Sequence, residues 1–191
     1  MKMPIEGKRI ILREHRKEDS PNRTKLRNNL ETQGVAQSLP LDYTTEMHEK
    51  AHDKRELSTL TRSDGLFVIE EKETKKFVGS ISYSELNPRF SAVNGISLLK
   101  EFWGEGYGYE AHELLLEFLF QEVGLRVSYW GTWSQNIGSI KLAEKSGYSI
   151  VIRSRDAIFK GGKLYDFLIL ELLREEYYER HPELKDELPG L

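Results

Sequence analysis

The sequence predicts an α/β (α+β) fold in which a mixed sheet is covered by helices on both faces. Three observations carry that expectation. Short β-branched or alternating runs exchange with longer stretches of helical period, in the order β-α-α-β-β-β-α-β-α-β-β. The chain has 191 residues, 38% of them hydrophobic, enough for one domain with a buried core. No repeat, low-complexity segment or Pro/Gly/Ser linker divides it, so residues 1–191 are expected to be a single domain with an acidic tail from about residue 174.

Arg9 to Arg13 (RIILR) is a short β-branched run and the first expected strand. Asp19 or Ser20, followed by Pro21, resembles an N-cap with an early helical proline and opens a polar helix to about Asn29. Thr44 or Thr45 precedes EMHEKAHDKRELSTL, a second, strongly charged helix expected on the surface. Strands follow at Leu66 to Glu70, Phe77 to Leu86 and about Val93 to Leu99. The middle one alternates Gly79, Ile81 and Tyr83 with Ser80, Ser82 and Ser84, the period of a half-buried strand. The polar EKETKK between the first two predicts a hairpin. After Gly108 the period changes: Ala111, Leu114, Leu115, Phe118 and Leu119 fall on one helix face, which Gly124 terminates. Val127 to Trp133 is a strand, Asn136 caps a helix to about Ser146, and Gly147 closes it. Tyr148 to Phe159 and Leu164 to Leu172 are two strands joined by KGGK, whose glycines admit the positive φ of a tight turn. The tail from Glu171 to Leu191 carries seven acidic and three basic residues and is expected to be a solvated end.

Composition excludes several function classes. Lys and Arg total 28 against 31 Asp and Glu, a formal charge of -3 without the positive field that phosphate neutralisation needs, so no nucleic-acid partner is expected. The chain has no cysteine, which removes disulfides, thiolate metal sites and cysteine nucleophiles together. No apolar run approaches the roughly 20 residues of a membrane helix, and MKMPIEGKRI lacks the apolar middle of a signal peptide. Cytoplasmic residence and no membrane partner are the expectation. His48 and His52 stand four apart without the Glu of an HExxH metalloprotease motif, so they are expected on a solvated helix face and no metal site is expected.

The most informative segment is Gly95 to Ala111, GISLLKEFWGEGYGYEA, a strand running into a glycine-rich turn and then into an amphipathic helix. Gly104, Gly106 and Gly108 let the backbone curl with its N–H groups inward, and the following helix adds unpaired N–H donors and the positive end of its dipole. A phosphate or pyrophosphate has a seat there. No lysine completes a Walker pattern, and the spacing is not GxGxxG. Trp103-Gly104-Glu105-Gly106-Tyr107-Gly108 resembles the (Q/R)xxGxG/A pyrophosphate loop of the GNAT N-acetyltransferases, and FWGEGYGYEA is similar to its RimJ/RimL branch. Asn136-Ile137-Gly138-Ser139 with Glu144-Lys145-Ser146-Gly147-Tyr148 resembles the family's NxxS…EKxGF segment, in the family's order. The opening GKRIILRE and the late GGKLYDFLIL are similar to the family's first strand and last hairpin.

The resemblance implies a mostly antiparallel twisted sheet of six to seven strands, with acetyl-CoA as co-substrate in an opening between Gly95 to Leu99 and Val127 to Trp133. Leu98 and Leu99 would pair with the pantetheine arm; Trp103, Gly104, Glu105, Gly106, Tyr107, Gly108 and Tyr109 would form the pyrophosphate loop. Asn136 and Ser139 would face the arm or the thioester. The implied chemistry is direct attack of a neutral amine in a ternary complex, with the oxyanion held by an N–H such as that of Leu98. Two departures from the family matter. Ala143 stands where many relatives carry a tyrosine acid, which moves that role to Ser139, and Val93-Asn94 stands where relatives often hold a glutamate. Glu85, Tyr129 and Asp166 are the remaining candidates for the base, beside a base acting through water. The acceptor implied is a protein N-terminal, other peptide or small-molecule amine, with a polyamine or an aminoglycoside as the alternative acceptor, and a non-catalytic acyl-CoA-binding or sensing module as the alternative function. Residues 1–60 carry 12 basic and 10 acidic residues and so do not select a polycation. Self-association, here as a homodimer, comes with the resemblance, and no heptad or apolar patch decides it.

Overall fold

The computed structural model describes residues 4–30, 43–57 and 63–185. The chain opens with β1 (Ile5–Glu6) and β2 (Ile10–Glu14), then a 3₁₀ turn at Lys17–Asp19 leads into α1 (Ser20–Asn28). After α2 (Thr45–Leu57) come β3 (Gly65–Glu71), β4 (Phe77–Asn87) and β5 (Ser91–Leu98). Helix α3 (Tyr107–Glu117) runs on through a π turn at Phe118–Glu122 and stops where Gly124 takes φ 74°. There follow β6 (Val127–Trp133), α4 (Ile137–Lys145), β7 (Ser149–Lys160) and β8 (Lys163–Leu173), with α5 (Arg174–Arg180) and α6 (Pro182–Lys185) last.

Among the described residues the strands form one eight-stranded sheet in the order β1-β2-β3-β4-β5-β6-β8-β7. Every neighbouring pair is antiparallel except β5 and β6. The mixed, mostly antiparallel sheet is the expected one; the strand beyond seven is the two-residue β1, too short to carry a periodic signal. Gly161 and Gly162 turn the β7–β8 hairpin with φ 58° and 76°, as the KGGK reading required.

Alternation puts the two faces of β3 into different cores. Phe67 and Ile69 join the main core with Leu115, Leu116 and Leu119 of α3, while Val68 points the other way and packs with Leu26 of α1, Phe77 and Leu99. Helices therefore cover both faces. On the α1 side Arg13 donates to both oxygens of the buried Asp19 and to Glu70, at 2.6–2.8 Å. Burial alone would push the Asp19 carboxyl up, but the hydrogen bonds from Arg13 and from Arg16 N–H hold it below the ordinary carboxylate value.

The tail departs from its expected solvated state. Helix α5 buries Tyr177 and Tyr178 in the main core, and Arg180 reaches back to the carbonyls of Lys145 and Ser146 at the end of α4. A Cβ on Gly147 would lie 2.7 Å from the Arg180 guanidinium, which accounts for a glycine there beyond its φ of 91°. The net charge of the segment hid this docking, because two tyrosines carry it. Among the described residues no helix is long and apolar enough to cross a membrane, and no group of His, Asp or Glu is placed to hold a metal.

Candidate active site

The site is a gap in the sheet. β5 and β6 pair in parallel from Ser91↔Val127 to Asn94↔Trp130, and beyond that point both strands continue without pairing each other. On its other side β5 stays bonded to β4, where Leu99 N–H donates to Val78 O at 3.0 Å. Antiparallel bonds use alternate residues, so Ser97 and Gly95 also turn their amides to β4, whereas Ile96 and Leu98 turn theirs into the gap. Sequence alone suggested both Leu98 and Leu99; the register sends Leu98 to the gap and commits the Leu99 amide to the sheet.

A buried polar network closes the apex. Asn94 Nδ2 donates to Ser128 Oγ at 2.7 Å and to Tyr148 Oη at 3.0 Å, and those two hydroxyls lie 2.5 Å apart. The network ties β5 to β6 and to the start of β7 at the last paired residues. Complete burial pushes the Tyr148 phenol far up, so it stays a neutral donor. His112 stacks on Tyr148 and meets Trp130 edge-on, with ring centroids 5.5 and 4.7 Å away, and its Nδ1 meets Ser146 Oγ at 2.9 Å. Burial, with a smaller contribution from Arg180, drops its imidazole to about 3.

At the mouth, Gly104 and Gly106 adopt φ 78° and 85°, and Glu110 makes the first amide bond of α3, to Gly106 O at 3.1 Å. The N–H groups of Tyr107, Gly108 and Tyr109 therefore precede the helical ladder. A Cβ on Gly104 would meet nothing within 4 Å, so the backbone there faces open space. Arg9 clips this loop to β2. Its guanidinium donates to Glu105 O at 2.9 Å and to Glu110 at 3.1 Å, and lies 4.3 Å over the Tyr107 ring. Trp103 lays its indole against β5 and donates Nε1–H to Leu98 O at 3.0 Å.

Across the gap Asn136 caps α4 by accepting Ser139 N–H at 3.2 Å. Ser139 Oγ in turn accepts from Trp130 Nε1 at 2.8 Å, so one lone pair is held and the O–H proton is left to point elsewhere. Two cavities meet here. The larger, about 660 Å³, runs from Ile96 and Leu98 past Trp103, Gly104, Gly106, Gly108 and Tyr109 to α4. The smaller, about 340 Å³, lies between α1, α2 and the open strands. Ile96, Ser97, Asn136 and Ser139 line both.

Of the residues expected from sequence, Leu98, Trp103, Gly104, Gly106, Gly108, Tyr109, Asn136 and Ser139 line the larger cavity, while Leu99, Glu105 and Tyr107 do not. Tyr107 instead packs edge-on to Phe102 and donates its hydroxyl to Glu71. Glu85, Tyr129 and Asp166 line neither cavity. Glu85 sits exposed with φ 53° where the β4–β5 register shifts, and Asp166 binds Arg153 and the Asp156 amide within the β7–β8 hairpin. Sequence reasoning missed Arg9, whose contact spans 101 residues. It also missed Lys141 and Lys145 on the α4 wall, where Lys145 lies 4.1 Å over the Tyr109 ring. Their four-residue spacing after the NxxS segment was the available signal.

Residues 9–149 match the family described as acetyltransferase (GNAT) domain. The chain belongs to this family. A curated GNAT-type relative, the uncharacterized N-acetyltransferase p20 of Bacillus licheniformis, is 27% identical over 112 residues, which cover 58% of this chain and 63% of that protein. Among solved structures, the spermidine N-acetyltransferase of Vibrio cholerae in complex with CoA and spermine superposes with a TM-score of 0.79 at 21% identity, over 88% of this chain and 98% of that one. A GNAT-family acetyltransferase from Bacillus anthracis gives 0.76 at 18% identity, over 91% and 99%. At these identities the superpositions establish the fold.

Proposed function

We propose that this protein is an N-acetyltransferase that moves the acetyl group of acetyl-CoA to a primary amine by direct attack in a ternary complex. The observation that carries the reading is that Ser139 lines both cavities, which supports it as the hydroxyl between a donor seat and an acceptor seat. The residues present fit acetyl-CoA, because the backbone at Gly104 opens onto free space and unpaired amides follow it. When bound, acetyl-CoA supplies an activated thioester and a thiolate leaving group.

The chain's own groups have defined tasks in this reading. The amides from Gly104 to Tyr109 bind the pyrophosphate, with Lys141 and Lys145 adding positive charge beside them. Ile96 and Leu98 offer main-chain groups along the gap, and the Leu98 N–H faces the carbonyl oxygen that becomes negative. Ser139, held by Trp130, donates its proton toward the departing sulfur. Ala143, fully buried on the inner face of α4, takes no part. Loss of the ammonium proton falls to water, which suits an amine of low pKa: about 8 for an α-amine against about 10.4 for lysine. That, together with Trp103 heading the loop, supports a RimJ/RimL-like enzyme acting on a peptide or small-molecule amine. Cytoplasmic residence and a homodimer belong to the same proposal. The polyamine acceptor is the alternative, favoured by the named substrate of the Vibrio cholerae neighbour.

Release of CoA thiol with a panel of amines tests the reading. Intersecting initial-rate lines are expected, and Ser139→Ala should lower kcat about a hundredfold while CoA affinity holds. Tight CoA binding without transfer to any amine would instead mark an acyl-CoA-binding or sensing module.

A further inference from the structure

Ser139 stands in the first turn of α4, where a serine hydroxyl ordinarily turns back onto nearby backbone. Its bonds go elsewhere. The Ser139 N–H donates to Asn136 Oδ1 at 3.2 Å, and the Oγ accepts Nε1–H of Trp130, on β6, at 2.8 Å. An indole N–H donates and cannot accept, so this contact has one sense only, and the Ser139 proton cannot lie on the Trp130 side. Among the described residues no acceptor meets that proton. The indole is itself fixed. Trp130 is buried, and it is the last β6 residue paired with β5, opposite Asn94. His112 of α3 and Tyr148 both meet its ring edge-on, at 4.7 and 6.2 Å. The contact of His112 Nδ1 with Ser146 Oγ, at the C-cap of α4, anchors the imidazole in turn. Ser139 and Ser146 stand about two helical turns apart and so share one face of α4, and Ala143 between them is buried in the same core as Trp130. Two side-chain bonds therefore hold α4 to β6 and α3, one near each end of the helix.

Within the acetyltransferase reading, on which this assignment rests, we propose that Trp130 is a positioning residue for Ser139: its N–H fixes the serine rotor and supports Oγ while the hydroxyl proton moves toward the leaving sulfur. Two effects come from the one bond. A serine hydroxyl otherwise spreads its proton over three staggered directions, and a fixed donor on one lone pair removes the direction toward the indole. An N–H donor also favours negative charge on the oxygen it serves, so Oγ gives up its proton more readily. The proton that the amine has lost to water returns to Oγ, and Ser139 ends each turnover as a hydroxyl again. Trp130 exchanges no proton and acts through Ser139 throughout. A plain packing role needs the shape of the indole, whereas this role needs its N–H.

The test removes the N–H and keeps the shape. In the full chain, position 130 is given 3-benzothienylalanine, in which sulfur replaces the ring N–H, and Trp130→Phe serves as a second chain without that donor. With acetyl-CoA and an accepted amine, kcat is expected to fall about tenfold in both, with KM for the amine and CoA affinity unchanged in the benzothienyl chain. Placed on Ser139→Ala, the same replacement should change kcat by less than about twofold, because the group it serves is gone. An unchanged kcat, or an equal loss in both backgrounds, overturns the proposal. NMR of the protein without ligand gives a readout apart from turnover. The Trp130 indole N–H resonance, assigned by its absence from the benzothienyl chain, is expected to move and to exchange faster with water in Ser139→Ala. A resonance that stays in place shows that the bond is not made and overturns the proposal as well. A parent chain that acetylates no amine defeats the transferase reading and this role together, whereas an active parent with an insensitive position 130 defeats the role alone.

Discussion

Around the glycine-rich turn the larger cavity is bordered by Gly104, Gly106 and Gly108 between the apolar side chains of Phe102, Trp103 and Tyr109, whereas the smaller cavity is lined by Arg23, Arg27, His48 and several serines. The donor end is built from one strand-loop-helix unit and the facing helix α4, all between residues 96 and 145. The acceptor end is assembled from α1, α2, β3, β4 and β6, elements far apart in the chain. A main-chain site tolerates exchange of its side chains as long as its φ values survive. A side-chain site changes its ligand with each substitution. The comparison teaches where selectivity can drift: at the α1–α2 wall, with the donor seat left intact.

The largest expected effect strikes the main-chain end. Gly104→Val forces a branched residue to φ 78° and places methyl groups in the open space before the loop. Titration calorimetry should show CoA affinity falling at least about tenfold, with a stability loss of about 1–2 kcal/mol. Unchanged affinity would break the idea that backbone amides grip the donor. A smaller effect is expected at the apex between the two ends. Tyr148→Phe deletes the hydroxyl that Asn94 and Ser128 share, and urea unfolding should report a loss of about 1–2 kcal/mol with weakened turnover. A loss of stability with no change in turnover would show that the strands part at the same angle without the network.

The smallest effect is a pH dependence. Burial, reinforced by Arg23, lowers the His15 imidazole to about 4, and burial lowers His112 to about 3. The unfolded chain therefore takes up protons first as pH falls below about 6.5, so stability declines from there toward pH 4. His15 lies beside the acceptor wall, where its ring packs 5.3 Å from His52, and His112 lies under the donor end. Urea unfolding between pH 7 and 5 should show a flatter slope for His15→Phe and for His112→Phe than for the parent chain. A parent slope of zero contradicts both assignments.

Legibility in the sequence followed the same division. The glycine loop and the Asn136 cap are local features with local signals, and the sequence from Gly95 to Ser139 placed their turns and helix start along the chain, whereas the gap was expected only from the family resemblance. The role of Arg9 in clipping the loop was not legible, because a side chain just before β2 reaches Glu110 only after the sheet and α3 have packed. The expected base candidates drew on polarity at strand ends, and register, which polarity does not encode, sent Glu85 and Tyr129 away from the cavities. His48 was expected on a solvated face from its charged neighbours, yet α2 turns that residue inward against Tyr43.

Helix α4, which presents Asn136 and Ser139, has its C-terminal carbonyls satisfied by Arg180, a residue 35 positions further along. Vectorial synthesis therefore delivers the 136–139 segment well before the side chain that caps its helix. A nascent chain halted after β8 would hold its glycine bend and its serine but leave Lys145 and Ser146 uncapped and the aromatic seat of Tyr177 empty. The closing contacts of α4 and of the main core thus come from α5, near the C-terminal end of the described residues.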